Sequence, residues 1–221
     1  MGATILVIAL IGVVASFWLA RQRLSAKPWL EAGPLGEFPG TGPLAADPAK
    51  IALGVFLAVV ASLFALFAGA YLMRMQLGDW RTLPKPGILW VNTGILVLAS
   101  GALVWAQEAA DRGSLAQTRR AILLAAVASL AFLVGQVLAW RDLVRDGYFL
   151  ATNPAATFFY LITGMHGLHL LGGLVALGRT ATRAWGETDA AALRPSLDLC
   201  AIYWHFLLLV WCLLFSLFLV T

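Results

Sequence analysis

Three histidines, His166, His169 and His205, stand inside long apolar runs of this sequence. His166 and His169 are three residues apart in Gly164-Met165-His166-Gly167-Leu168-His169, so on a helix they share one face. His205 falls in the next run, within Tyr203-Trp204-His205-Phe206. A His-x-x-His pair with a third histidine matches the residue types of a copper or zinc ligand set. The same rings can instead hydrogen-bond to neighbouring groups or to lipid headgroups. No membrane-embedded carboxylate or cysteine supports a metal set, which favours the second chemistry. No nucleophile–base pair, phosphate-binding loop or paired carboxylates accompany them, so catalysis by this chain alone is not expected.

The elements that must carry these side chains follow from composition. The 221 residues are 61% hydrophobic and 12% charged, with a mean hydropathy of +0.86. That lies outside soluble-domain composition and inside the integral-membrane class. Spanning backbone must satisfy its own hydrogen bonds, and the apolar runs are continuous instead of alternating, so helices are expected and a barrel is not. Apolar runs at 3–20, 51–73, 87–107, 121–140, 155–178 and 199–220 predict an all-α, polytopic membrane bundle of six helices. The first, within residues 1–20, has no positive charge ahead of it and reads as a retained helix, not a cleaved signal. Residues 21–50 are rich in proline and glycine and read as an extended linker; residues 51–221 form a five-helix bundle. Cys200 and Cys212 fit neither a disulfide framework nor a metal knuckle and read as small buried apolar side chains.

Orientation follows from lysine and arginine. With the N-terminus outside, ten of the fifteen lie on inside segments (Arg21, Arg23, Lys27, Lys50, Arg112, Arg119, Arg120, Arg179, Arg183, Arg194) and five outside (Arg74, Arg81, Lys85, Arg141, Arg145). Both termini are therefore expected outside. At 1.5 Å per residue, His169 lies roughly 15 Å and His205 roughly 12 Å from the inner boundary, with His166 nearer the midplane. A short link makes the last two runs neighbours, and Gly164, Gly167, Gly172 and Gly173 would allow their close approach.

The stretch Ala156-Thr157-Phe158-Phe159-Tyr160-Leu161 leading into Gly164, His166, Gly167 and His169, followed by Tyr203-Trp204-His205-Phe206 and Trp211, resembles subunit III of the haem–copper respiratory oxidases, the cytochrome c oxidase family. A weaker match, including Trp80, Pro84, Pro86, Asn92, Thr93 and Gln136, continues from about residue 52 to the C-terminus, and residues 1–50 lie outside it. The resemblance implies an accessory, non-redox subunit of a bacterial terminal oxidase in aerobic electron transport. It would sit in the cytoplasmic membrane beside subunits I and II, which carry the haems and copper, and hold no cofactor itself. It also implies that the chain stabilises subunit I, binds phospholipid and assists proton uptake from the inner side. By the family pattern His169 touches lipid and Arg183, fourteen positions on, meets a lipid phosphate, to which its planar fork of donors is suited. Trp204, His205 and His166 would close the same lipid-binding site.

The sequence departs from that pattern in its acids. No carboxylate occupies 51–73, the family's Gln-x-x-Glu is Gln136-Val137-Leu138-Ala139, and Leu207-Leu208 replaces the Asp that often follows Trp-His-Phe. Asp198 matches an acid ahead of Tyr-Trp-His, whereas Glu108 has no counterpart. A proton relay inside this chain is therefore in doubt. Two other functions fit the same helices: a subunit III-like component of a quinol oxidase or nitric-oxide reductase, and a small transporter. Against the transporter, 51–107 and 121–178 show no internal repeat and no interrupted helix pair.

Overall fold

A backbone in hydrocarbon has no water to bond to, so each apolar run closes its own hydrogen bonds as a helix. A computed structural model describes residues 47–84, 87–150 and 153–220. Among these there is no strand, and five helices are long and apolar enough to cross a membrane. They are α1 (Pro48–Arg74), α2 (Ile88–Asp111), α3 (Leu115–Arg145), α4 (Pro154–Gly186) and α5 (Arg194–Val220), the last entered through a 3₁₀ turn at Ala191–Leu193. The expected first span at 3–20, and the linker as far as residue 46, lie outside the described residues.

The chain divides into two compact units, up to Gly69 and from Ala70. In the first, α1 starts three residues before its apolar run because the local chemistry favours a helix start. Pro48 needs no amide partner there, and the Asp47 carboxylate accepts from the Ala49 N–H at 3.0 Å.

In the second unit, α2 and α3 form an antiparallel pair with a seam of small side chains. On α2, Leu89, Asn92, Leu96, Ala99, Leu103, Ala106 and Ala110 are buried, at alternating spacings of three and four. On α3 the buried set includes Ala121, Ala125, Ala128, Phe132, Gly135 and Ala139. Alanine and glycine let two backbones approach closely, which drives association where lipid removes the hydrophobic effect. The α2–α3 turn ends on Gly113 at φ 70°, and the turn after α3 on Gly147 at φ 86°, the left-handed positions that close a helix C-terminus.

Indole N–H groups tie the helices together across the core. Trp211 on α5 donates to Thr93 Oγ1 on α2 at 2.9 Å, and Thr93 donates to the Leu89 carbonyl at 2.8 Å. Trp140 on α3 donates to Thr163 Oγ1 on α4 at 3.0 Å, and Thr163 donates to the Phe159 carbonyl at 2.7 Å. Each hydroxyl thus accepts from one helix and donates within its own.

The helices overrun their apolar runs. α3 has 31 residues and α4 has 33, where the runs predicted 20 and 24. In α4, helix-favouring Arg179, Ala181, Arg183 and Ala184 continue the ladder past the apolar run, until Glu187 leaves helical backbone at φ −82°, ψ 148°.

Candidate functional site

Of the two histidine-bearing helices, α4 is fixed at both ends and α5 at its start. At the start of α4, the Asn153 side chain caps the helix by accepting from Ala155 N–H at 3.0 Å, and its amide donates to the Arg81 carbonyl at 2.6 Å. The loop before α2 is therefore clipped to the head of α4. At the far end, the Arg119 guanidinium on α3 donates to the carbonyls of Ala184 at 2.8 Å and Glu187 at 3.3 Å, meeting α4's terminal acceptors with a cation. At the start of α5, Arg194 pairs with Asp111 at 2.6 Å and with Asp198, while Gln107 donates to Asp198 at 2.8 Å. This cluster anchors α5 to the last turns of α2. Gln107 and Asp111 were not singled out in the sequence; an amide one turn before an acid at the end of an apolar run was the available signal.

Between these anchors, α4 and α5 meet at Gly173. A Cβ there would lie 2.6 Å from Tyr203 Cε1 and 3.0 Å from the Trp204 ring. The Tyr203 hydroxyl crosses back to the His169 carbonyl at 2.8 Å. Of the four glycines expected to allow close approach, Gly173 does so; Gly164 and Gly167 have only ordinary contacts and Gly172 faces open space.

The expected site residues divide into two sets. His166 and Trp204 are core, each 0% exposed. His166 lies against Phe132 and Trp211, ring centroids 5.7 and 5.2 Å away. The Trp204 indole N–H donates to Ser129 Oγ on α3 at 2.9 Å, pointing into the bundle. The second set reaches the surface: His169 is half-buried, and His205 and Arg183 are exposed. Arg183 donates to Ser196 Oγ at 3.1 Å, bridging the last turns of α4 and the first of α5.

The imidazoles have a defined tautomer. His169 Nδ1 lies 2.7 Å from the Met165 carbonyl, and His205 Nδ1 bonds the Ala201 carbonyl. A carbonyl only accepts, so both Nδ1 atoms carry hydrogen, and in the neutral ring Nε2 is an acceptor. Spacing separates the histidines from Arg183. The fourteen residues from His169 to Arg183 span roughly 21 Å of helix, too far for one phosphate to touch both.

Among the described residues, no group of three or more His, Cys, Asp or Glu side chains could hold a metal ion. Cys200 is buried beside Thr180, whereas Cys212 is exposed, contrary to its expected burial.

Comparison with known proteins matches this arrangement to a family. The family model described as cytochrome c oxidase subunit III matches residues 50–220. The chain is 32% identical over 160 residues to a cytochrome c oxidase subunit 3 of Thermostichus vulcanus, covering 69% of this chain and 76% of that one. It is 31% identical over 155 residues to a probable cytochrome c oxidase subunit 3 of Mycobacterium bovis (68% and 76%). A probable cytochrome c oxidase subunit 3 of Nocardia farcinica is 30% identical over 157 residues (68% and 76%). The motif residues on α4 and α5, the helical membrane bundle that holds them and this match agree: the chain belongs to the cytochrome c oxidase subunit III family, as a multi-pass membrane accessory subunit of a terminal oxidase complex.

Proposed function

We propose that this chain is a non-redox scaffold that packs against subunit I, in a complex with subunit II, and holds a phospholipid against the exposed faces of α4 and α5, towards the inner boundary of the membrane. The haems and copper then belong to the partner subunits, and the complex sits in the bacterial cytoplasmic membrane with both chain termini outside. Ten basic residues against five support that orientation. Reporter fusions after Thr221 should read outside; a cytoplasmic signal reverses the assignment.

The observation that carries the lipid reading is the position of Arg183. Its exposed guanidinium joins α4 to α5 through Ser196 and has further N–H donors for a phosphate. From there the exposed side chains Val175, Leu171 and Leu168 run along α4 past His169, a path for acyl chains. In this reading Arg183 holds the headgroup, His169 and His205 flank the chains, and His166 and Trp204 stiffen the wall behind.

Paired Arg183→Ala and His169→Ala substitutions in the intact oxidase test it. The substituted complex should lose phospholipid on purification and inactivate sooner during turnover, with a near-normal initial rate. Unchanged lipid content by mass spectrometry would exclude a lipid at this face.

A further inference from the structure

The seam between α2 and α3 holds one polar pair that the lipid reading does not use. Asn92 on α2 and Gln136 on α3 are 1% and 3% exposed. Asn92 Nδ2 donates to Gln136 Oε1 at 3.4 Å, longer than the usual 2.7–3.2 Å. Asn92 Oδ1 and Gln136 Nε2 have no hydrogen-bond partner among the described residues.

Turning the amides over does not cure this. One hydrogen bond between two primary amides uses one donor and one acceptor, and leaves an acceptor and a donor over in either orientation. Turning only one sets like atoms face to face. The pair cannot withdraw to a wetter place either, because Asn92 is pressed into α3 where that helix lacks a side chain. A Cβ at Gly135 would collide with Asn92 Oδ1. An unmet donor and an unmet acceptor in an apolar interior are both costly.

We propose that Asn92 and Gln136 form a binding site for a single water molecule held between α2 and α3. The water accepts from one amide N–H and donates to the carbonyl oxygen of the other. The chemistry selects water over an ion. The two leftover groups are one donor and one acceptor, both neutral, whereas a cation would want oxygens only and an anion N–H groups only. Buried waters in proteins occupy polar sites of this kind, bridging groups that would otherwise be unsatisfied. The site would fix the register of α2 against α3, since a one-residue slip removes Asn92 from both Gln136 and Gly135.

A map of the intact oxidase that resolves ordered water is the direct test. One peak within about 3 Å of both leftover amide atoms is expected. A map with no peak there, and with the amides bonded to main-chain carbonyls, overturns the proposal. This map needs no variant and so decides even where a substituted chain fails to assemble. In parallel, Asn92→Leu and Gln136→Leu in the complex should each lower the melting temperature, while the double variant should be no worse than the poorer single, because no polar atom is then stranded. Losses that simply add would also overturn it.

Discussion

Trp204 on α5 and Ser129 on α3 are joined at 2.9 Å, and Ser129 donates in turn to the Ala125 carbonyl at 2.7 Å. The serine is both acceptor and donor, so neither the indole N–H nor the hydroxyl proton is stranded in the core. Trp204→Phe keeps most of the ring and removes only the donor, and Ser129→Ala removes its acceptor. Each should cost about 1 kcal/mol, and Ser129→Ala somewhat more because it leaves the indole N–H buried and unmet. The double variant should be close to the worse single. A thermal-stability cycle on the purified complex checks this, and strictly additive losses would show that the bond contributes nothing.

Gly173 and Gly172 are neighbours with opposite surroundings. Gly173→Ala places a methyl 2.6 Å from Tyr203 Cε1, so that ring must shift, whereas a methyl at Gly172 meets nothing within 4 Å. Overpacking of this sort typically costs about 1–3 kcal/mol. Gly173→Ala should lower the melting temperature and weaken retention of this subunit in the complex, and Gly172→Ala should be neutral or slightly stabilising. Equal behaviour of the two would contradict the close approach of α4 and α5.

Asp198 is a structural acid in this arrangement, bound by Arg194 and Gln107. Asp198→Ala frees Arg194 from one of its two carboxylates and should loosen the start of α5, by on the order of 1–2 kcal/mol for a part-buried charged pair. Steady-state turnover and proton uptake should change little. A several-fold fall in proton uptake, with stability intact, would instead make Asp198 a proton-carrying group.

The helices were legible in the sequence because the bilayer makes apolar run length a direct signal; four of the five described helices contain their predicted runs, and α2 starts one residue inside its own. Their ends were not legible, since a helix stops where hydrogen bonding and capping stop, which for α4 is Gly186, eight residues past the end of the predicted apolar run. The motif histidines were found by type and spacing, but not their direction. His166 turns inward against Phe132 and Trp211 while His205 turns outward, and that depends on how each helix is rotated against its neighbours, which spacing within one helix does not encode. The contact between Asn92 and Gly135 was hidden for the same reason: neither residue is unusual until the other helix is beside it.

Outside the spans, the Arg74 guanidinium hydrogen-bonded to Asp79 holds that carboxyl below the usual aspartate range. A group whose folded value is depressed stabilises above its unfolded value, about 3.9, and loses that contribution as pH falls through the lowered folded value. The loop after α1 should therefore loosen only in acid below about pH 4, and Asp79→Asn should remove that part of the acid response. Because the pair is exposed, the effect should be small and should shrink in high salt. Protease accessibility of 75–84 at a series of pH values reads it; loosening near neutral pH would contradict the assignment.

The length of α4 has a consequence for where its charges stand. Thirty-three residues make a rod of roughly 50 Å, against about 30 Å of hydrocarbon. Membrane helices tilt by at most about 40°, which still leaves a projection of roughly 38 Å. Mismatch therefore cannot be absorbed by leaning alone, and nearly two turns, roughly 10 Å of helix, must stand clear of the oily layer. The polar end, with Arg179, Arg183 and the Arg119–Trp185 contact, is the one suited to do so. The subunit thus carries a rigid helical post through the headgroup level, which fixes how deeply it can sink and holds its basic groups at a set height whatever the local bilayer thickness.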